Sequence, residues 1–285
     1  MSDSNIAILV DSSCDIPPAV IQRHGIYVAP LLINYPEGSY QDRVEIMPEQ
    51  VYARFPDEVP TTSTPTPASV VKLFEQIRED GHTKVIAVTL AAELSGTYNL
   101  FKSVAMGLSD MVVDVVDSKS LALGAGLIAI RAAELVDEGK SFAEVRSAMP
   151  QIVEDTQAFF TVETLTYLYR GGRLSKASFA VGSMLDIRPV ITSNAEGGLV
   201  PVAKLRGRKQ SLKKMLSLAK KKLEGFARYN IAVVNSNAHN ECAAFCETVK
   251  AELPDFVHVY EEQICPVLVT HGGPGLIGIA VQGIR

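Results

Sequence analysis

The chain alternates short apolar runs with amphipathic stretches almost from its first residue. Residues 6–10 are continuously apolar and end in Asp11-Ser12-Ser13, the pattern of a strand buried on both faces. Asp15, Ile16, Pro17 and Pro18 follow. A helix begins there, because proline is tolerated in a first turn, where its missing N–H would be unpaired anyway. Gly25 after His24 marks the helix end, and 27–35 reads as a second strand. The pattern then repeats. A helix over 67–80 opens on Pro67 and stops at Gly81, 85–89 is a strand, and Ser95-Gly96 leads into a helix through Met106. A strand over 111–116 and a helix over 119–138 come next. Such alternation predicts a parallel α/β sheet, with its sites at the carboxyl ends of the strands. Those ends carry Asp11-Ser12, Ser95 and Asp117-Ser118, so one mouth of the sheet is expected to be lined with hydroxyls.

After about residue 155 the texture changes. Residues 158–162 read as a strand and 170–175, Arg-Gly-Gly-Arg-Leu-Ser, as a glycine-rich turn. Residues 187–205 form two strands around a Ser-Asn-Ala-Glu-Gly-Gly turn, the signature of a hairpin. Helix 209–226, strand 230–235, helix 239–252 and strand 256–263 complete the pattern. The expectation is an α/β fold in two domains: a parallel-sheet domain over 1–155 and a mixed-sheet α/β domain over 156–285.

Composition narrows the function classes. At 285 residues and 47% hydrophobic, the chain can bury a core without disulfides or metals. A net charge of −5 argues against a general nucleic-acid binder, although a local basic stripe remains possible. The longest apolar candidate for a membrane span, 121–130, is ten residues with two glycines, well short of the roughly 18 required. The N-terminus, Met-Ser-Asp-Ser-Asn, has no basic region of a secretory signal. Four cysteines in so long a chain do not suggest a disulfide framework. The expectation is a soluble cytoplasmic protein.

Several constellations could carry chemistry. Thr61-Thr62-Ser63-Thr64-Pro65-Thr66-Pro67 places five hydroxyls directly before a helix, which suits an anion at a helix N-terminus; Thr66 capping the Pro67 helix is the plainer reading. Ser95 sits where a nucleophile elbow would, but Glu93 replaces the glycine that G-x-S-x-G needs. Ser95 therefore reads as a donor to a bound anion or as a cap, with a serine acyl hydrolase or acyltransferase using Ser95 and His271 as the alternative. His271 lies in His-Gly-Gly-Pro-Gly, where two flexible turns suggest close approach to a ligand or a hydrogen-bonded turn histidine. Cys242 and Cys246, four apart on a helix, lack the second ligand pair of a structural zinc site and read as buried apolar groups, so no metal is expected. Residues 204–228 hold ten of the 27 basic residues, while Leu212, Met215, Leu216, Leu223 and Phe226 recur at helical spacing. That leaves a lysine face for solvent, for anionic headgroups or for an acidic partner. Neither a P-loop, nor G-x-G-x-x-G after the first strand, nor H-E-x-x-H occurs.

Taken in order, these segments resemble the DegV family, bacterial fatty-acid-binding proteins that serve fatty acid kinase. The markers are Val10-Asp11-Ser12, Thr62-Ser63-Thr64-Pro65, Leu94-Ser95-Gly96-Thr97-Tyr98 and Val116-Asp117-Ser118. Arg170 to Ser175, Arg188-Pro189, Lys204-Leu205-Arg206-Gly207-Arg208-Lys209 and His271 to Gly275 complete a set covering nearly the whole length. No single marker is specific, but the ordered set is. The resemblance implies a two-domain DegV-like fold holding one long-chain fatty acid, its tail in an apolar tunnel of the N-terminal domain and its carboxylate between the domains. It implies that Thr62 and Ser95, with Ser63 and Gly96 beside them, hold the carboxylate and that His271 lies close. Arg173 and Arg206 match basic positions linked to the encounter with the kinase. The kinase would move phosphate from ATP to the bound carboxylate. This chain would present the substrate and carry the acyl-phosphate, with no catalysis, metal or further cofactor of its own. Transient contact with a membrane surface fits such a carrier, whereas nucleic acid does not. A chain of about 14 to 18 carbons would suffice: about fourteen methylenes at about 0.8 kcal/mol each give on the order of 11 kcal/mol on burial, before ordering costs. The carboxylate must then be paired, and hydroxyls with a histidine able to carry charge are the expected partners.

Overall fold

The computed structural model describes residues 5–176 and 187–285; the first four residues, on which the reading of the N-terminus partly rests, lie outside the described residues. β1 (Ile6–Asp11) is wholly buried and runs through a single 3-10 turn, Ser12–Cys14, into α1 (Pro18–His24). Gly25 ends α1 at φ +61°, a left-handed conformation that glycine adopts without cost. The expected strand over 27–35 is two strands, β2 (Tyr27–Ala29) and β3 (Leu32–Tyr35), broken at Pro30. A proline cannot donate to a ladder, and the chain changes sheet there. β4 (Gly38–Gln41), α2 (Pro48–Tyr52) and β5 (Thr61–Ser63) follow. Then come α3 (Pro67–Glu79), β6 (Lys84–Thr89), α4 (Thr97–Ala105), β7 (Val112–Asp117) and α5 (Leu123–Asp137), close to the expected positions. Thr66 caps α3 by accepting from the Ser69 amide at 3.1 Å.

α6 (Phe142–Glu154) was not expected, although Ser141 and Glu144 form a capping box at its start. The remaining described elements are β8 (Thr156–Thr161), α7 (Thr166–Arg170), the hairpin of β9 (Ile187–Ser193) and β10 (Leu199–Arg206), and α8 (Arg208–Lys222). β11 (Arg228–Asn235), α9 (His239–Glu252), β12 (Phe256–Gln263), α10 (Pro266–Gly272) and β13 (Ile277–Ile284) close the chain.

Three sheets result. The first is parallel, in the order β2-β1-β6-β7, and the largest is mixed, in the order β10-β9-β8-β13-β11-β12. β11 and β12 are parallel, whereas β13 runs antiparallel to both β11 and β8. The third sheet, β4-β3-β5, is antiparallel and made of strands of three or four residues. This is an α/β fold with one parallel and one mixed sheet, as the periodicity predicts.

α5 ties the two large sheets together. It is buried almost all round, which marks a helix enclosed by protein rather than one on a surface. Ala125, Ile128 and Ala129 pack with Ile8 and Val10 of β1, while Leu123 and Leu127 join a second cluster with Phe160 of β8 and Ala280 of β13. Gly126 permits the contact with the first loop, since a Cβ there would lie 2.4 Å from the Cys14 carbonyl oxygen. Cys242 and Cys246 are buried with Phe245 and Val249 in the core under α9. No helix among the described residues is long and apolar enough to cross a membrane.

Candidate functional site

At the N-terminal end of α5 the two halves of the chain do not close on each other. They leave a cavity of about 350 Å³, within the range of about 300–1,000 Å³ that holds small molecules. The walls are apolar: Leu123 from α5, Phe160 from β8, Ile279 from β13, and Val267 and Leu268 from α10. The tunnel expected within residues 1–155 is thus corrected, because much of this lining comes from beyond residue 155. The cause is the position of α5, whose first turn faces the mixed sheet while its body packs on the parallel one.

One end of the cavity is polar. Thr62, Ser63, Ser95, Gly96, Arg173 and His271, from four separate segments, all line it. Thr62 and Ser63 lie on β5, where Thr62 pairs with Ile33 of β3, so these hydroxyls sit on a strand rather than at the α3 N-terminus as expected. The helix start that does face the cavity is that of α4, with Gly96 at its cap position. Ser95 Oγ accepts from the Thr97 amide at 3.3 Å and lies 2.9 Å from Thr97 Oγ1, a local turn that fixes the side chain. The expected hydroxyl-lined mouth shrinks accordingly. Ser12 Oγ bonds Asp42 at 2.5 Å, Ser118 Oγ bonds the Ser120 carbonyl at 3.2 Å, and the Asp117 carboxylate takes the Ala92 and Lys119 amides.

His271 closes α10. Its Nε2 lies 2.8 Å from Thr62 Oγ1, whereas its buried Nδ1 has no hydrogen-bond partner among the described residues and faces Gly171, where a Cβ would approach to 2.1 Å. An N–H without an acceptor beside a cation is the costlier choice, so the ring proton is assigned to Nε2. Thr62 then accepts from the ring and has its own O–H to donate into the cavity. Burial, reinforced by the nearby Arg173 charge, pushes the imidazole down to about 3. The expected cationic histidine is therefore corrected: His271 is neutral, and the cation at this end is Arg173.

Arg173 is half-buried, donating Nε to the Leu94 carbonyl at 3.0 Å and Nη1 to the Gly171 carbonyl at 2.6 Å. No carboxylate among the described residues pairs with it, and burial alone lowers its guanidinium from the usual value. Sequence reasoning linked Arg173 and Arg206 to one outer surface. The structure separates them, since Arg206 is exposed at the end of β10 while Arg173 is in the cavity wall. Ser95 and His271 do not form a nucleophile–base pair, each being bonded to a threonine. No carboxylate is bonded to Nδ1 to orient the ring. Among the described residues no group of three or more His, Cys, Asp or Glu side chains is placed to hold a metal ion.

The sequence pattern described as "Uncharacterised protein, DegV family" matches residues 5–283. A DegV domain-containing protein of Clostridium acetobutylicum is 35% identical over 276 residues, covering 97% of this chain and 98% of that protein. The protein DegV of Bacillus subtilis is 30% identical over 278 residues, covering 96% and 98%. Among solved structures, a DegV family protein from Thermus thermophilus described by its fatty acid binding superposes with a TM-score of 0.92 at 28% identity, covering 98% of this chain and all of that one. A stearic acid-binding protein from Eubacterium ventriosum superposes with a TM-score of 0.89 at 27% identity, covering 98% of each chain. The chain belongs to the DegV family.

Proposed function

We propose that this protein binds one long-chain fatty acid, with the tail in the apolar cavity and the carboxylate against Thr62, Ser95, Arg173 and His271. The observation that carries the reading is Arg173, a half-buried cation without a carboxylate partner among the described residues, at the polar end of an apolar cavity. A guanidinium so placed calls for an anion, and an apolar cavity calls for a tail. Thr62 and Ser95 would donate their O–H protons to the carboxylate, Gly96 would let its backbone approach, and Ser63 would lie beside them. Relatives described as binding fatty acids, stearic acid among them, support the same ligand class.

The protein is then a carrier that presents the carboxylate to a fatty acid kinase in the cytoplasm, where ATP is at hand. A carboxylate oxygen attacks the γ-phosphorus of ATP, the new O–P bond forms as the bond to the β-phosphate bridge breaks, and ADP leaves. Thr62 and Ser95 would orient one carboxylate oxygen and leave the other directed out of the site for the attack. The exposed Arg206 and the lysines of α8 are the surface for the kinase or, transiently, for a membrane.

Native mass spectrometry followed by organic extraction tests the ligand. A stoichiometric adduct with the mass of a long-chain fatty acid is expected. A clean ligand-free mass that also refuses added palmitate would remove the reading. The presenting role fails if Thr62→Ala or Ser95→Ala, supplied with kinase and ATP, forms acyl-phosphate as fast as the unaltered protein.

A further inference from the structure

Behind the cavity wall lies a second buried cluster. Asp11 ends β1, accepting from the Ser13 amide at 3.0 Å and the Leu90 amide at 2.8 Å. Asp15 Oδ1 accepts from Arg43 Nη2 at 3.1 Å and from the Cys265 amide at 2.9 Å. Asp42, just after β4, accepts from Ser12 Oγ, which in turn accepts from the Leu31 amide at 3.1 Å. Arg43 also donates to the Gln263 carbonyl. The cluster therefore joins three parts of the fold: the loop after β1, the small β4-β3-β5 sheet and the entry to α10. Leu31, Leu90 and Val267, neighbours of these contacts, line the cavity. The small sheet carries Thr62, and α10 carries His271.

We propose that this cluster is a latch: Arg43, Asp15 and Asp42 hold the three-stranded sheet against the start of α10, keep Thr62 on His271 at the edge of the cavity, and release the sheet when the cluster ionises. These are positioning residues, since none lines the cavity. Three carboxylates with one guanidinium cannot all be charged in a dry site. Burial pushes Asp11 up to about 6, Asp15 up to about 7, and Asp42 upward as well. The other titratable groups facing them do not supply a second cation. They are the thiols of Cys14 and Cys265, both held protonated by burial, Glu262 beside Arg43, and Tyr52 and Glu49 of α2. A closed latch thus keeps protons that an opened one, with carboxylates near about 3.9, gives up. Opening becomes easier as pH rises from about 4 to about 7, and levels off above. That the opening governs fatty acid exchange rests on the function proposed above; the opening itself does not.

Hydrogen exchange of the Ile33, Asn34 and Thr62 amides in the ligand-free protein between pH 5 and 8, corrected for intrinsic rates, reads the latch directly. Release of bound cis-parinaric acid over the same range reads its consequence. Opening is expected to rise about three- to tenfold per pH unit up to pH 7 and then flatten. Asp15→Asn keeps the acceptor for Arg43 and for the Cys265 amide, so it should stay closed and lose most of the rise. Wild-type protection that is constant from pH 5 to 7 overturns the proposal, whether or not the variant folds. So does an Asp15→Asn profile that matches wild type. If the amides behave as expected but cis-parinaric acid is never bound, the fatty acid reading falls and the latch stands.

Discussion

Two buried polar clusters press on the same cavity from different sides, and their charge balance is opposite. At the cavity's polar end one guanidinium, Arg173, stands with a neutral histidine and hydroxyls but no carboxylate. Behind the wall three carboxylates share one guanidinium, that of Arg43. The first cluster leaves its cation without a carboxylate partner among the described residues, and under the proposed function an anion from outside would pair with it. The second holds its own counter-charge in Arg43 and in retained protons and does not line the cavity, although Asp15 Oδ2, Asp42 Oδ1 and Arg43 Nε have no hydrogen-bond partner among the described residues. Burial is common to both, so burial of charge alone does not mark a binding site. What marks it is an uncompensated sign facing empty apolar space.

Removing each cation should therefore have different consequences. Arg43→Met leaves buried carboxylates without a counter-charge. Because the Arg43 side chain is 32% exposed, the expected loss lies at the low end for a broken buried pair, about 3 kcal/mol, read by urea denaturation at pH 8. The loss should shrink at pH 5.5, where the acids take up protons. Arg173→Met should leave the ligand-free protein as stable as before or slightly more so, since a half-buried unpaired charge is gone. Its palmitate affinity should instead fall by about 1.5–3 kcal/mol, roughly ten- to hundredfold, in a competition assay. If Arg173→Met destabilises the empty protein while Arg43→Met weakens only binding, the assignment of roles is reversed.

The sequence carried the two clusters unequally. Thr62, Ser95 and His271 stood out because hydroxyl runs and a Gly-Gly-Pro-Gly segment are unusual between apolar stretches, and the structure brings them to one cavity. β1 and β6 were readable because buried parallel strands are unbroken apolar runs, and β7, a half-buried edge strand, because its valines flank a single Asp114. The small sheet was not: Gly38–Gln41 and Thr61–Ser63 are short, polar and without alternation, so only their pairing with β3 defines them. The acidic cluster was invisible for a related reason. Asp15 and Asp42 look like ordinary loop acids until the chain folds Asp15 onto Arg43, 28 residues beyond it, and Asp11 was read only as a strand-end residue. The cavity's apolar lining cannot be told from core by residue type, and the position of the tunnel rests in the sequence on the family resemblance alone. The state of His271 depends on its 2.8 Å contact with Thr62, 209 residues away, and on Arg173, none of which periodicity encodes.

The smallest expected effect is also the one that separates the clusters most cleanly. His271 is held at about 3, so the folded state binds fewer protons than the unfolded one, and stability falls as pH drops from about 6.5 toward 3. Asp11 and Asp15 are held at about 6 and about 7, so the folded state binds more protons, and stability falls as pH rises from about 4 to about 7. Between pH 5 and 6.5 the two slopes oppose each other. Two raised acids outweigh one depressed histidine, so the wild type should still lose about 1 kcal/mol across this interval, read by urea denaturation. Asp15→Asn leaves the histidine slope opposed by Asp11, so its urea midpoints should be nearly flat from pH 5 to 6.5. His271→Gln should uncover the acid slope, losing stability from pH 5 to 7. Variants that both track the wild type would mean that neither cluster is as dry as its packing indicates, and the contrast between an open site and a closed latch would fall with it.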